Sequence, residues 1–395
     1  MIHRHPLYTV VVMKESKAGS IEDLKNSKFG LTKTGTQDII EKGLEDIKKD
    51  AGQDITTVDY KSYKTIADDL YDGKIEAIIM DEATRSLFED NHSKFDSETK
   101  IVKSYKYKTT TKDISKNVNV TSEPFNVYIT GIDTYGTIST VSRSDVNMIA
   151  TVNPKTHQIL LTSIPRDYYV PQPCQAGQTD KLTHTGIFGV DCTVETVENY
   201  FGIDINYYVR VNFSSVENIV NALGGITVNN PVAFTASDGT YSYEAGDVYM
   251  DGAKALRFAR ERYNLGGGDR DRGKNQMRVI TGIINKAISP SIITNYTSIL
   301  DAVSGSFQTN MSNSEMTSLI KMQINDMSGW DIEQISVNGT GNGSAWSPAN
   351  GFNSWVMEPN VNTVKRAVEV IKKVENGEDV KALAQQVMEE NTADE

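Results

Sequence analysis

A chain of 395 residues with 38% hydrophobic and 23% charged side chains has room for two or three domains and the make-up of a folded globular protein, not a disordered one. Its net charge of -12 and pI near 5.1 argue against general nucleic-acid affinity, which shows as a broad basic face. No run of roughly 18 apolar residues occurs, so no segment reads as a membrane-spanning helix.

The opening MIHRHPLYTVVVMK does not read as a signal peptide, because its apolar run is short and no small-residue cleavage site follows. The chain is therefore expected to be either cytosolic or the soluble part of something longer. LYTVVVM (7–13) reads as a strand, SIEDLKNS as a short helix and KFGLT (28–32) as a second strand. The helix TGTQDIIEKGLEDIKKD, the strand ITTVDY (55–60), the helix YKTIADDLYDG and the β-rich KIEAIIMD (74–81) follow. This alternation predicts a small α/β unit over residues 1–112. SIEDLKNSKFGLTKTGT and DGKIEAIIMDEATRS resemble one lobe of an amino-acid-type solute-binding protein; the other reading is a structural or docking lobe.

The connector YKYKTTTKDISKNVNVTSEP (105–124) marks the boundary. Beyond it, FNVYITGID (125–133) is a strand, and SDVNMIATVNPKTHQILLTSIPRDYYV (144–170) reads as two apolar strands joined at NPKT. TVETVENYFG and FSSVENIVNALGG are helices, the second closed by paired glycines, with strands YYVRV (207–211) and ITVNN (226–230) around it. DGAKALRFARER (251–262) and RDRGKNQMRVITGIINKAI (270–288) are helices. MTSLIKMQIND and NVNTVKRAVEVIKKV bracket the strand DIEQISV. Residues 113–376 thus predict one α/β domain with a central mixed sheet between helical layers, and 377–395 a frayed helix or tail.

Six of the twelve arginines fall within 257–278 around three consecutive glycines. The guanidinium fork suits carboxylate or phosphate, so an anion site is expected there. Arg260 and Arg262 cannot share a face of a continuous helix, yet both reach one anion if the helix ends near 261. Asp133 ends one apolar strand, Arg143 and Asp145 open the next, and Arg166 and Asp167 follow QILLTSI. Ligands of open α/β sheets sit beyond strand ends, so these groups are placed to converge. Two carboxylates with several arginines fit phosphoryl transfer: Asp133 and Asp145 would share a Mg²⁺, and the arginines would offset diphosphate charge. The competing reading makes Arg143/Asp145 and the run Asp269–Arg272 surface ion pairs of little energetic weight. Cys174 and Cys192 form neither a CxxC nor a metal-ligand spacing, and a disulfide closing the loop between them is expected. The five histidines form no HxxxH or HExxH, which speaks against zinc.

In order, GIDTYG, SRSDVNMIATVNP, LLTSIPRDYYV, ALGGITV, MDGAKALRFARERYN and GDRDRGKNQ resemble the LytR-CpsA-Psr family over about 125–290. The upstream lobe resembles the accessory domain of its streptococcal capsule-type members. The resemblance implies an extracellular enzyme at the plasma membrane and cell wall of a Gram-positive cell, tethered by N-terminal helices that this sequence does not contain. Its implied activity moves a capsular polysaccharide from undecaprenyl pyrophosphate to peptidoglycan, with Mg²⁺ on Asp133 and Asp145. Arg143 and Arg166 would grip the pyrophosphate, Arg260, Arg262, Arg272 and Gln276 would complete the site, and Asp145 would accept the acceptor's proton. Val279, Ile283 and Ile284 are candidates for a prenyl tunnel or for ordinary core. Tyr135 stands where members often carry Arg, and Asn275-Gln276 replaces the usual Arg-Gln, so Lys274 would substitute as a point charge. Two other functions remain open: a polyprenyl-pyrophosphate hydrolase, and a non-catalytic regulator sensing lipid or solute. No nucleic-acid partner is expected. Replacing Arg166 by Ala is expected to abolish diphosphate affinity and leave the fold intact.

Overall fold

The computed structural model describes residues 3–4, 7–32, 37–107, 109–110, 114, 116–132, 142–293, 295–303 and 305–393. The N-terminal unit contains β1 (Leu7–Met13), β2 (Lys28–Thr32), α1 (Gln37–Ala51), β3 (Thr56–Tyr60), α2 (Tyr63–Tyr71), β4 (Ala77–Asp81), α3 (Arg85–Glu89) and β5 (Thr99–Lys106). The strands form one sheet in the order β3-β2-β4-β1-β5, parallel from β3 to β4 and antiparallel around β1. β1 and β4 are continuously apolar because both faces are covered. Val10, Val12, Phe29 and Leu31 pack on Ile39, Ile40 and Ile47 of α1. Val11, Ile78 and Met80 pack on Tyr63, Ile66 and Leu70 of α2 and on Leu87 and Phe88 of α3.

The second unit begins with β6 (Phe125–Ile132), β7 (Val146–Asn153), β8 (Gln158–Ser163), α4 (Val190–Phe201), β9 (Tyr207–Asn212) and α5 (Phe213–Ala222). β10 (Ile226–Asn230), β11 (Gly246–Met250), α6 (Gly252–Arg260), α7 (Asp269–Ala287), β12 (Gln308–Thr309) and α8 (Asn313–Asp326) follow. β13 (Asp331–Ser336), β14 (Gly339–Ser347), β15 (Phe352–Pro359), α9 (Val361–Glu375) and α10 (Lys381–Ala393) complete it. The six-stranded sheet runs β12-β9-β6-β7-β8-β13, with parallel pairs β9/β6 and β8/β13 and antiparallel pairs elsewhere. On one face Tyr128, Ile149, Leu160 and Ile335 meet Val194 and Val197 of α4 and Ala367, Val370, Ile371 and Val374 of α9. On the other, Val127, Met148, Ala150 and Leu161 meet Met277 of α7. The expected α/β class and the sheet between helical layers are therefore what the chain adopts.

Three features depart from the sequence reading. ITVNN stays out of the main sheet and pairs with β11 as an antiparallel ribbon against α7. Gly282 permits that approach: a Cβ there would lie 2.9 Å from Thr227 O. β14 and β15 form a hairpin that the reading left unassigned. The segment expected to fray contains α10, which with Val380 just before it buries Ala384 and Val387 against the main core.

The two units share a core, since Ile187 and Ala349 are buried in the cluster that holds Tyr63, Leu87 and Phe88. Cys174 and Cys192 are bonded, with Cα atoms 5.6 Å apart, tying the turn Pro173–Gln175 to α4. Closing a loop of this length restricts the unfolded chain, so reduction should lower stability by about 3 kcal/mol. Intact mass before and after reduction and alkylation checks it; two alkylatable thiols in the unreduced native protein would contradict the bond.

Candidate functional site

Asp145 enters β7, with its N–H donating to Gly131 O at 2.8 Å, while the N–H of Ser144 donates to Thr183 O at 2.8 Å. Arg166 leaves β8 through the turn at Pro165, where its carbonyl accepts from Thr183 N–H at 2.8 Å. The 182–184 turn thus clamps both strand ends. Arg166 Nη1 donates to Asp145 Oδ1 at 2.5 Å, and Thr183 Oγ1 donates to the same oxygen at 3.2 Å. Arg166 Nε lies 3.6 Å from Asp167 Oδ2, whose other oxygen is 3.4 Å from Lys181 Nζ. Burial opposes the charge on Arg166, but the carboxylates of Asp145, Asp167, Asp269 and Asp90 outweigh it and raise its pKa above the ordinary arginine value. It stays a fixed cation.

The helix α6, capped by Asp251 through Lys254 N–H at 2.9 Å, ends at Arg260. Its guanidinium lies 4.0 Å from the centroid of the Phe213 ring. Glu261 is fully buried and turns the chain there. Its Oε1 accepts the N–H groups of Arg262, Tyr263 and Asn264 at 3.0, 2.9 and 3.0 Å, and its Oε2 accepts Ser237 N–H at 2.8 Å and Arg257 Nη2 at 2.9 Å. Burial alone would raise its pKa, yet these backbone donors hold it below the usual glutamate range. Where α7 begins, Asp269 Oδ1 is 2.5 Å from Arg272 Nη2 and 3.8 Å from Arg262 Nε, and Lys274 Nζ is 3.4 Å from Asp271.

Two cavities share Asp145, Arg272 and Gln276 as lining. A polar one of about 50 Å³ adds Arg166, Asp269, Arg270 and Lys274, with Ser336, Asn338, Met388 and Asn391 opposite. A larger one of about 250 Å³ is walled by Ile129, Val146, Val211, Val216, Val279, Ile280 and Ile283 and rimmed by Arg260, Arg262 and Tyr263. The structure therefore gathers Asp145, Arg166, Arg260, Arg262, Arg272, Lys274 and Gln276 around one pair of spaces. Val279 and Ile283 line the apolar cavity, while Ile284 packs against the core around Met277. Arg143 lines neither cavity: its Nη1 donates to both carboxylate oxygens of Asp90 at 2.8 Å. Asp133 and Tyr135 lie outside the described residues. Asn275 is buried, with Nδ2 donating to Phe258 O at 3.4 Å and Oδ1 accepting from Arg278 at 2.7 Å, so it serves the helix packing.

Sequence reasoning missed Glu261, which between two arginines reads as simple charge compensation. It also missed Met388 and Asn391, for which the spacing of Val380, Ala384 and Val387 was the available signal. Among the described residues no group of three or more His, Cys, Asp or Glu side chains could hold a metal ion. Among the described residues, Asp145 accepts its two side-chain hydrogen bonds through Oδ1. Hard carboxylate oxygen beside a diphosphate suits Mg²⁺, which needs only one or two carboxylates when phosphates supply further oxygens. Of the two carboxylates expected to hold that ion, Asp145 is the one among the described residues, and it forms no closed protein cage there.

Comparison with known proteins places these features. TagU of Enterococcus faecalis, named a polyisoprenyl-teichoic acid–peptidoglycan teichoic acid transferase, is 40% identical over 240 residues, covering 60% of this chain and 77% of its own length. The Bacillus cereus protein of the same name is 32% identical over 267 residues, 67% of this chain and 80% of its own. B. subtilis TagV superposes with a TM-score of 0.53 at 26% identity, over 65% of this chain and 99% of its own. The structure titled TagT bound to LI-WTA gives 0.52 at 27% identity, over 66% and 94%. The LytR_cpsA_psr family model matches residues 88–369, which leaves most of the N-terminal sheet and all of α10 outside it. The chain belongs to the LytR_cpsA_psr family.

Proposed function

We propose that this protein transfers a lipid-linked glycopolymer to peptidoglycan, with a capsular polysaccharide on undecaprenyl pyrophosphate as donor. The observation that carries the reading is the junction of an apolar cavity with an arginine-rimmed polar one, which matches a molecule greasy at one end and doubly charged at the other. The prenyl tail would occupy the space beside Val216, Val279 and Ile283. Arg166, Arg260, Arg262, Arg272 and Lys274 would face the diphosphate, with Gln276 as a neutral donor. A wall hydroxyl attacks the sugar-linked phosphorus, the bond to the bridging oxygen breaks, polyprenyl phosphate leaves, and the hydroxyl proton passes to Asp145. Buried cations supply most of such catalysis, because charge migrates toward the leaving oxygen. Asp145, with Asp133 from outside the described residues, would hold a Mg²⁺ that offsets charge on the phosphate oxygens. The disulfide supports an extracellular setting, where such bonds persist. The relatives' names specify teichoic acid; the capsular assignment follows the resemblance of the N-terminal domain.

Purified lipid-linked polymer, incubated with and without peptidoglycan, tests the proposal. A conjugate that forms only with peptidoglycan is expected, whereas free polymer released equally in both arms identifies a hydrolase. Ile283→Trp, which fills the apolar cavity, should lower kcat/KM for the full-length prenyl donor about tenfold or more at an unchanged thermal midpoint. Full activity in that variant removes the tail from this cavity.

A further inference from the structure

We infer that Asp90, carried by the N-terminal domain, is a built-in competitor that occupies Arg143 in place of the substrate's diphosphate. This rests on the diphosphate reading of the site above. Both Asp90 oxygens sit 2.8 Å from Arg143 Nη1, a contact of the kind a phosphate would make. Arg143 is mostly buried, and its Nε has no hydrogen-bond partner among the described residues. A buried donor left unmade is costly, so the resting arrangement leaves part of the guanidinium's capacity unused.

Asp90 cannot easily withdraw. It follows directly on α3, whose Leu87 and Phe88 are almost wholly buried, and its N–H donates to Ser86 O at 3.1 Å. The cluster that holds those two side chains also contains Ile187 of the second unit. Next to Ile187, Gly186 packs against the segment that carries Arg143: a Cβ there would lie 2.5 Å from both Ser142 O and Ser144 N. The carboxylate, the 185–188 helical turn and the Arg143 backbone thus form one packed unit, so substrate could replace Asp90 only through a swing of the arginine side chain. Arg143 lies two residues before Asp145, just ahead of β7. An arginine released from Asp90 is therefore positioned beside a residue common to both cavities. Asp90 is also among the charges that act on Arg166. The N-terminal domain in this way lowers the positive charge offered to the diphosphate by one, and sets the affinity of a site that lies in the other domain.

Calorimetric titration of the full chain with geranylgeranyl pyrophosphate tests this, since that probe has the tail and the diphosphate but no sugar. Asp90→Asn should tighten binding about fivefold, the scale of one unmasked charge at partly screened range. Asp90→Glu should restore the wild-type value. The gain should vanish when Arg143→Ala is combined with Asp90→Asn. Unchanged or weaker binding by Asp90→Asn, with a wild-type thermal midpoint, overturns the competition alone. Equal binding by wild type and Arg166→Ala overturns the diphosphate reading itself, which keeps the two failures apart.

Discussion

Arg166→Ala should weaken geranylgeranyl pyrophosphate binding by about a hundredfold and cost about 3 kcal/mol of stability. The first effect follows from losing a buried cation that faces the polar cavity. The second goes beyond the sequence expectation, which was an intact fold. Asp145 and Arg166 are both largely buried and joined by a 2.5 Å contact, so deletion strands a carboxylate away from water. Thr183 Oγ1 at 3.2 Å is too weak a partner to compensate. Combining Arg166→Ala with Asp145→Asn should recover most of the stability and none of the affinity. Urea unfolding and calorimetry separate the two readouts. A single variant as stable as wild type would show that water reaches Asp145 freely, and an unaltered titration would remove Arg166 from the site.

Glu261→Gln should cost a similar amount, about 3 kcal/mol, and disorganise the arginine rim. One carboxylate terminates five donors here, four of them backbone N–H groups, and a neutral amide accepts through a single oxygen. The pH dependence has a definite sign. The folded-state pKa lies below that of the unfolded glutamate, near 4.3, so the stabilisation is complete above that value and is lost as pH falls through the lower folded value. Acidification below about pH 4 should therefore destabilise the wild type more steeply than the glutamine variant. Parallel acid-unfolding slopes for the two proteins would show that Glu261 gains nothing from its charge.

Local periodicity made the elements legible, because each signal lies within a few residues. Leu7–Met13, Lys28–Thr32 and Ile226–Asn230 have the bounds expected of them. Pairing was less visible. Ile226–Asn230 looks like any other strand, but its partner Gly246–Met250 lies beyond a small hairpin of Phe234–Thr235 and Ser242–Tyr243, and the two leave the main sheet together. The hairpin from Gly339 to Pro359 is hidden by GTGNGSAWS, whose glycines and serines carry no alternating apolar face. Within the site, the arginine block announced itself by density. The partner of Arg143 did not, since Asp90 lies 53 residues earlier in the chain and no local rule links the two. α10 was expected to fray because acidic and polar residues flank its apolar ones, whereas Ala384 and Val387, with Leu383 and Met388 packed beside them, dock it on the core.

The walls of the polar cavity are drawn from residues 145–147, 163–166, 269–276, 336–338 and 388–391. Contacts so distant along the chain form late in folding, because loop closure has to precede them. A partly folded molecule therefore has no pocket to offer. Under the proposed function, ligand capture would then report that folding is complete.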